Sequence, residues 1–183
     1  MAEAIRFGES ARGRTAPNPN VGCVIVADGR IVGEGATAPG GRPHAEAIAL
    51  EAAGAMARGA YLYTTLEPCA HVSARGPTCS VAIAEAGIAR VVAAMQDPDP
   101  RTAGLGFKVL RKAGVSVKTG VGKAEAAASL AGFLTRIALG RPRITLKLAL
   151  SIDGKVACLP GNRNGSRVRT PAPMSISSAR GPT

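Results

Sequence analysis

The segment VGCVIVADGRIVGEGA, residues 21–36, decides the fold of this chain. It contains two β-rich runs, Cys23–Ala27 and Arg30–Glu34, which are joined at Asp28-Gly29. An Asp-Gly pair between two such runs is a strong signal for a tight hairpin, because both turn residues must adopt a positive φ. We therefore expect the sheet to start with an antiparallel pair of strands.

Helical and extended patterns alternate along the chain around this hairpin. They predict helices over residues 2–13, 44–58, 79–86, 107–113 and 123–139, and further strands over residues 60–68, 89–97 and 115–121. Strands that alternate with helices predict an α/β domain. With the hairpin included, we expect three layers, α/β/α, built around a mixed five-stranded sheet.

The sequence changes character after Leu139, and we divide the chain into three parts. Residues 1–139 are predicted to form the α/β domain. Residues 140–157, GRPRITLKLALSIDGKVA, predict a strand that opens a second domain. Residues 158–183 are rich in Arg, Pro, Ser and Gly, a composition that predicts disorder. We interpret this ending as a truncated or frame-shifted reading frame, which resequencing of the locus would test.

Charge, hydropathy and cysteine content limit the class of protein. The chain carries 23 Lys and Arg against 12 Asp and Glu, a net charge of +11, but residues 1–135 hold only +3 of it. The excess lies in residues 136–183, which argues against a nucleic-acid-binding domain. No apolar run approaches the roughly 20 residues of a membrane helix, and no secretory leader pattern is present. We expect a cytoplasmic protein whose cysteines favour metal binding over disulfides.

Three short motifs together carry the predicted chemistry: His44-Ala45-Glu46, Glu67-Pro68-Cys69, and Cys79. A hydrolytic zinc site requires three protein ligands and an open position for water. One imidazole and two thiols, from His44, Cys69 and Cys79, supply that set. Glu46 is predicted to be the catalytic residue, a proton shuttle between the water and the leaving amine, as in zinc deaminases.

Each motif alone has an ordinary structural interpretation. A histidine at a helix start is commonly a surface or capping residue, and cysteines are commonly small buried apolar side chains. The order of the motifs, with a strand that runs into Pro68-Cys69, favours the metal site instead. Cys23 lies within an apolar strand and is assigned to the core, and Cys158 is given no role.

Several strings over residues 5–157 resemble the deaminase half of the bifunctional riboflavin-biosynthesis deaminase/reductase family. They are APNPNVGCVIV, PHAEAIAL, LYTTLEPCAH, GPTC, AMQDPDP and RPRITLKLALSIDGKVA. Nine residues separate Cys69 from Cys79, and a long loop of this kind is typical of the family. The resemblance implies a cytidine-deaminase-like fold and a Zn2+ cofactor. It also implies hydrolytic deamination at ring carbon 2 of 2,5-diamino-6-(5-phosphoribosylamino)pyrimidin-4-one.

The same resemblance implies the substrate-binding residues and the partners. Asn18 would hydrogen-bond the pyrimidine, and His71 and Arg75 would face the ribose phosphate, which the forked donors of an arginine match well. Asp97 is expected near the site, and Asp99 departs from the DPNP pattern of the family. Only the first strand of the NADPH-dependent reductase domain is represented, so neither NADPH binding nor reductase activity is expected. We further expect a small-molecule substrate, no nucleic-acid or membrane partner, and homo-oligomers.

Two alternatives remain open from the sequence. A base deaminase acting on nucleic acids or nucleosides would use the same zinc chemistry, although it would need stacking aromatics, and the three Phe and two Tyr are scattered. A non-catalytic protein with structural zinc would need a fourth ligand, for which His71 is the sharpest candidate. Replacement of Glu46 by Gln distinguishes this second alternative, because only a catalytic site loses activity.

Overall fold

The structure, a computed structural model, describes residues 1–71, 77–150, 152 and 154. The chain divides into two compact units, Met1–Arg143 and Ile144–Thr183. The described part of the first unit contains α1 (Ala2–Ser10), β1 (Gly22–Ala27), β2 (Arg30–Ala36), α2 (Ala45–Ala53), β3 (Tyr61–Thr64), α3 (Cys79–Glu85), β4 (Arg90–Ala93), α4 (Leu105–Lys112), β5 (Ser116–Thr119), α5 (Lys123–Ser129) and α6 (Ala131–Leu139). Short 3-10 helices, Pro39–Gly41 and Gly54–Ala57, lie on either side of α2.

The strands form one mixed sheet in the order β2-β1-β3-β4-β5. Strand β1 is antiparallel to both of its neighbours, β2 and β3, whereas β3, β4 and β5 run parallel. Parallel neighbours require a crossover connection, and α3 and α4 supply the two crossovers. The predicted α/β fold with a mixed five-stranded sheet is confirmed.

The hairpin at the edge of the sheet has the predicted turn. Ala27 pairs with Arg30, and the turn residues Asp28 and Gly29 have φ angles of 49° and 74°. A two-residue loop with positive φ at both positions matches the right-handed twist of the flanking strands. The turn thus aligns β1 with β2 where the chain reverses.

Helices cover both faces of the sheet. Helix α1, with α5 beside it, lies on one face, and α2, with α3 and α4, lies on the other. Two glycines allow the helices to approach closely. A Cβ at Gly22 would lie 1.8 Å from the carbonyl oxygen of Ala4, and a Cβ at Gly35 would lie 2.4 Å from that of Ala45. The predicted three-layer arrangement is confirmed.

The core between these layers is aliphatic, as the low aromatic content requires. Its largest fully buried side chains include Ile25 and Leu62 in the central strands and Ile83 and Leu110 in the helices. Cys23 is fully buried among them, and burial raises the pKa of its thiol well above the usual value. This environment agrees with the assignment of Cys23 to the core.

Three predicted helices differ by more than two residues from the observed ones. The helix predicted over residues 44–58 ends at Ala53 and is followed by the 3-10 helix Gly54–Ala57. The helix predicted over residues 123–139 is divided into α5 and α6 at Leu130, whose ψ of 5° departs from helical values. The side chain of Leu130 is fully buried, so the division allows this residue to enter the core. Helix α1 ends at Ser10 rather than near Gly13, because the amides of Ala11 and Arg12 bond to carbonyls three residues back in tighter turns.

The described residues of the second unit form no strand, although the sequence predicts one over residues 140–157. Ile144 and Leu146 are 83% and 76% exposed. An extended segment becomes a strand only when a neighbouring strand accepts its hydrogen bonds, and none does so within the described ranges. The domain boundaries stay predictions, and residues 158–183 lie outside the described part. None of the described helices is long and apolar enough to cross a bilayer.

Candidate metal and catalytic site

The three predicted ligands lie where β3 ends and where α2 and α3 begin. His44 is the N-cap residue of α2, with extended backbone angles, rather than part of the first helical turn. Cys79 is the first residue of α3, which Thr78 caps by accepting a hydrogen bond from the amide of Val81. Cys69 lies in the loop after β3. Sheet topology therefore brings together residues that are 25 and 35 positions apart along the chain.

The ligand atoms form a compact triangle. The Nδ1 atom of His44 lies 3.6 Å from Sγ of Cys69 and 3.3 Å from Sγ of Cys79, and all three ligand atoms lie within 4.8 Å of one another. In a tetrahedral zinc site, with Zn–S of about 2.3 Å and Zn–N of about 2.0 Å, neighbouring N and S ligands are about 3.5 Å apart. Both the distances and the donor chemistry fit zinc.

The two thiols and the imidazole are strongly coupled. The Cys79 thiol hydrogen-bonds to Cys69 and lowers the pKa of Cys69 to about 4, with hydrogen bonds from His44 and from the Cys79 amide adding to the effect. That amide donates to Sγ of Cys69 at 3.3 Å. The same thiol–thiol bond, together with burial, raises the pKa of Cys79. The hydrogen bond to Cys69 raises the pKa of His44. The site thus stabilises negative charge on sulfur, as a metal ligand requires.

Glu46 occupies the first turn of α2, two residues after His44. Its side chain is 3% exposed, and burial raises the pKa of its carboxyl group. A carboxyl group whose pKa is raised can accept a proton and later return it. The arrangement suits the proton transfer predicted from the sequence.

A cavity of about 450 Å³ opens beside these residues. Its lining includes the polar side chains of His44, Glu46 and Cys69 and the apolar side chains of Leu66 and Phe133. A pocket of this size with a few convergent polar groups suits a small-molecule ligand.

Two of the predicted substrate residues lie in this cavity. Asn18 lines it, donates its Nδ2 to the carbonyl oxygen of Gly41 at 2.7 Å, and lies 3.3 Å from Nε2 of His44. His71 also lines it, with Nδ1 3.3 Å from Oγ1 of Thr102. Within the described residues, the metal-ligand group of His44, Cys69 and Cys79 does not include His71. Arg75 lies outside the described residues.

Sequence reasoning missed the part played by Glu67. Its side chain is 3% exposed and accepts three backbone hydrogen bonds, from the amides of Asp97 at 3.2 Å, Gly104 at 2.9 Å and Phe107 at 3.2 Å. Gly104 and Phe107 belong to the N-terminal turn of α4, so Glu67 caps that helix from another element. The available signal was a glutamate that follows an apolar strand and stands two residues before a predicted metal ligand, because a glutamate that becomes buried there needs hydrogen-bond partners.

Two aspartates after β4 have opposite environments. Burial, with the neighbouring carboxylates of Asp99 and Glu67 adding to it, raises the pKa of Asp97 to about 6. The guanidinium of Arg101 lowers the pKa of Asp99 to about 2. Both aspartates and Arg101 line the cavity. The sequence singled out Asp97 and Asp99 but not their cationic neighbour.

Comparison with known proteins identifies similar chains. The profile of the family described as "Cytidine and deoxycytidylate deaminase zinc-binding region" matches residues 1–95. The chain is 51% identical to riboflavin biosynthesis protein RibD of Escherichia coli K12 over 161 residues, covering 88% of this chain and 44% of that protein. It is similar to a solved RibD structure from Acinetobacter baumannii, with a TM-score of 0.80, 44% identity, and coverage of 90% of this chain and 46% of the other.

A second solved structure gives the same result. It is the diaminohydroxyphosphoribosylaminopyrimidine deaminase/5-amino-6-(5-phosphoribosylamino)uracil reductase of Thermotoga maritima, with a TM-score of 0.80 and 41% identity. The match covers 86% of this chain and 45% of that one. The chain therefore spans less than half the length of each of these three relatives.

Proposed function

This chain belongs to the cytidine and deoxycytidylate deaminase zinc-binding family, and from that membership we propose that it is a deaminase of riboflavin biosynthesis. The substrate is 2,5-diamino-6-(5-phosphoribosylamino)pyrimidin-4-one. Water adds at ring carbon 2, the bond to the exocyclic amine breaks, and ammonia leaves. The reductase activity in the names of longer relatives is not part of this proposal.

One observation carries the proposal. An imidazole nitrogen and two sulfur atoms are spaced as tetrahedral zinc requires, and two of these ligands, His44 and Cys69, line the same cavity as buried Glu46. His44, Cys69 and Cys79 would hold the metal. When bound, zinc supplies a nucleophilic water at neutral pH, because it lowers the pKa of water from about 15.7 to about 7.

The proposed role of Glu46 is proton transfer. Its carboxylate accepts the proton that the attacking water loses and then returns it to the departing amine. Burial favours the first step, because a carboxylate whose pKa is raised is a stronger base and takes up a proton more readily. The neighbouring His44 keeps Glu46 close to the metal, since the two lie in the same helix start.

The proposal assigns substrate binding to Asn18, His71 and Arg75. The position of Asn18, which lines the cavity next to His44, supports its proposed hydrogen bond to the pyrimidine. His71 lines the same cavity and suits an anionic group such as the ribose phosphate. A cytoplasmic location, a small-molecule partner and homo-oligomeric assembly remain predictions from the sequence.

Zinc content and ammonia release test the proposal together. The purified chain should contain about one zinc ion per three-ligand site and release ammonia from the diaminopyrimidine phosphate. Glu46→Gln should retain zinc and lose ammonia release by at least about 100-fold, in the range of general acid–base effects. Glu51→Gln, an exposed glutamate on the same helix, is the matched control. Full activity of Glu46→Gln with zinc bound would refute the role of Glu46, and zinc binding without any ammonia release by the unmodified chain would support a structural site instead.

A further inference from the structure

Arg101 lies at the cavity that contains the metal and catalytic residues. It follows β4 in the loop that leads to α4 and lines the same pocket as His44 and Glu46. Its side chain is 69% exposed, so a ligand that enters the cavity can reach it. Sequence reasoning assigned it no role.

Asp99 holds the guanidinium in place. The Nε atom of Arg101 donates to Oδ1 and Oδ2 of Asp99 at 3.0 Å and 3.1 Å, and Nη2 also donates to Oδ2. The amide of Arg101 donates to Oδ1 at 3.0 Å as well. These contacts use two of the three guanidinium nitrogens, and Nη1 has no hydrogen-bond partner among the described residues. A pre-oriented arginine with unused N–H donors is suited to an anionic oxygen.

His71 also lines this cavity. Its Nδ1 atom is 3.3 Å from Oγ1 of Thr102, the residue next to Arg101. The electrostatic effect of His71 also reaches Asp99, which it helps to keep ionised. Two nitrogen-bearing side chains, His71 and Arg101, therefore line the same cavity, and Thr102 connects them.

Arg42 and Arg136 are the other two arginines of the cavity lining, and Arg136 has a contact outside it. Arg136 donates its Nη2 to the carbonyl oxygen of Pro17 at 2.7 Å and so ties α6 to the loop before β1. Its role in that contact is structural.

From these contacts we infer that Arg101 is a specificity-determining residue: Asp99 orients its guanidinium, and Nη1 binds the phosphate of the substrate. This inference rests on the proposed function and extends it by a residue that the family resemblance did not supply. Asp99 acts as a positioning residue, because it contacts Arg101.

The test compares Arg101→Ala with the unmodified chain on two substrates, the diaminopyrimidine ribose phosphate and its dephosphorylated ribosyl form. For the phosphorylated substrate, KM should rise by about 10- to 100-fold, the value of a charge-assisted hydrogen bond, with kcat changed by less than about twofold. For the dephosphorylated substrate, KM should be the same in both proteins. A KM that stays unchanged on the phosphorylated substrate would overturn the inference.

Three further measurements make the test specific. Arg6→Ala is the matched control, because Arg6 is also exposed and paired with an acidic residue, Glu3, but lies on α1 away from the cavity. The double variant Asp99→Asn/Arg101→Ala should keep the raised KM. Recovery of the original KM would mean that Arg101 merely neutralises Asp99, and would refute phosphate binding. Zinc content and circular dichroism check that each variant is folded.

Failure of this inference differs from failure of the proposed function. If the unmodified chain binds zinc but releases no ammonia from the phosphorylated substrate, the proposed function is wrong. If it releases ammonia and Arg101→Ala has an unchanged KM, the deaminase proposal stands and the role of Arg101 is wrong.

Discussion

Glu67→Gln offers a direct test of how the site is held together. The Oε2 atom of Glu67 accepts hydrogen bonds from the amides of Asp97 and Gly104, and its Oε1 atom accepts one from the amide of Phe107. Glutamine has the same shape but one acceptor atom fewer. In its better orientation the amide oxygen replaces Oε2, and the NH2 group then faces the amide of Phe107.

The cost follows from these contacts. One hydrogen bond to a charged group is lost and leaves a buried donor unsatisfied, which costs about 1.5–3 kcal/mol. The two remaining bonds weaken because their acceptor becomes neutral, while relief from burying a carboxylate offsets part of the loss. We expect the free energy of unfolding to fall by about 2–3 kcal/mol.

Urea unfolding of the zinc-loaded protein measures this change. Glu51→Gln is the control, because Glu51 is exposed on α2 and because glutamate and glutamine have similar helix propensities. Zinc content should be retained in Glu67→Gln, since Glu67 contacts α4 and the loop after β4 rather than the metal ligands. A decrease of less than about 1 kcal/mol would refute the view that this carboxylate connects α4 to the segment that follows β3.

Two further predictions concern packing and pH. Gly22→Ala should destabilise the fold by about 1–3 kcal/mol, because its Cβ would lie 1.8 Å from the carbonyl oxygen of Ala4. The control is Gly132→Ala, where nothing lies within 4 Å of the new Cβ and α6 should gain up to about 1 kcal/mol. Equal urea midpoints for the two variants would contradict the close approach of α1 to β1. Burial raises the folded-state pKa of Asp97 to about 6, above an unfolded value of about 3.9, so its protonated form is favoured in the fold and stability is lost as pH rises from about 4 to about 6. Asp97→Asn removes this loss. The free energy of unfolding of the variant minus that of the parent, measured with urea, should therefore increase by about 2–3 kcal/mol between pH 4 and pH 7.5. A constant difference would show that Asp97 does not titrate in this range.

The elements that the sequence predicted well are those set by neighbouring residues. The Asp28-Gly29 turn depends on two backbone conformations, and the alternation of strands and helices depends on side chains a few positions apart. The candidate metal ligands were also found, because a histidine at a helix start and cysteines at a strand end and a helix start have a chemistry that few other patterns share. The order of the strands indicated that these ligands lie near one another, but the distances between their ligand atoms came only from the structure.

The sequence by itself thus determined the α/β class, the hairpin and the choice of metal-binding residues. The tertiary structure alone decided that Glu67 caps α4, since its partners Gly104 and Phe107 are 37 and 40 positions away. It also decided that Leu130 divides the last helix and that Arg101 faces the cavity. The physical reason is that hydrogen-bond partners and burial depend on which elements pack together, and local propensity contains no information about contacts between distant segments.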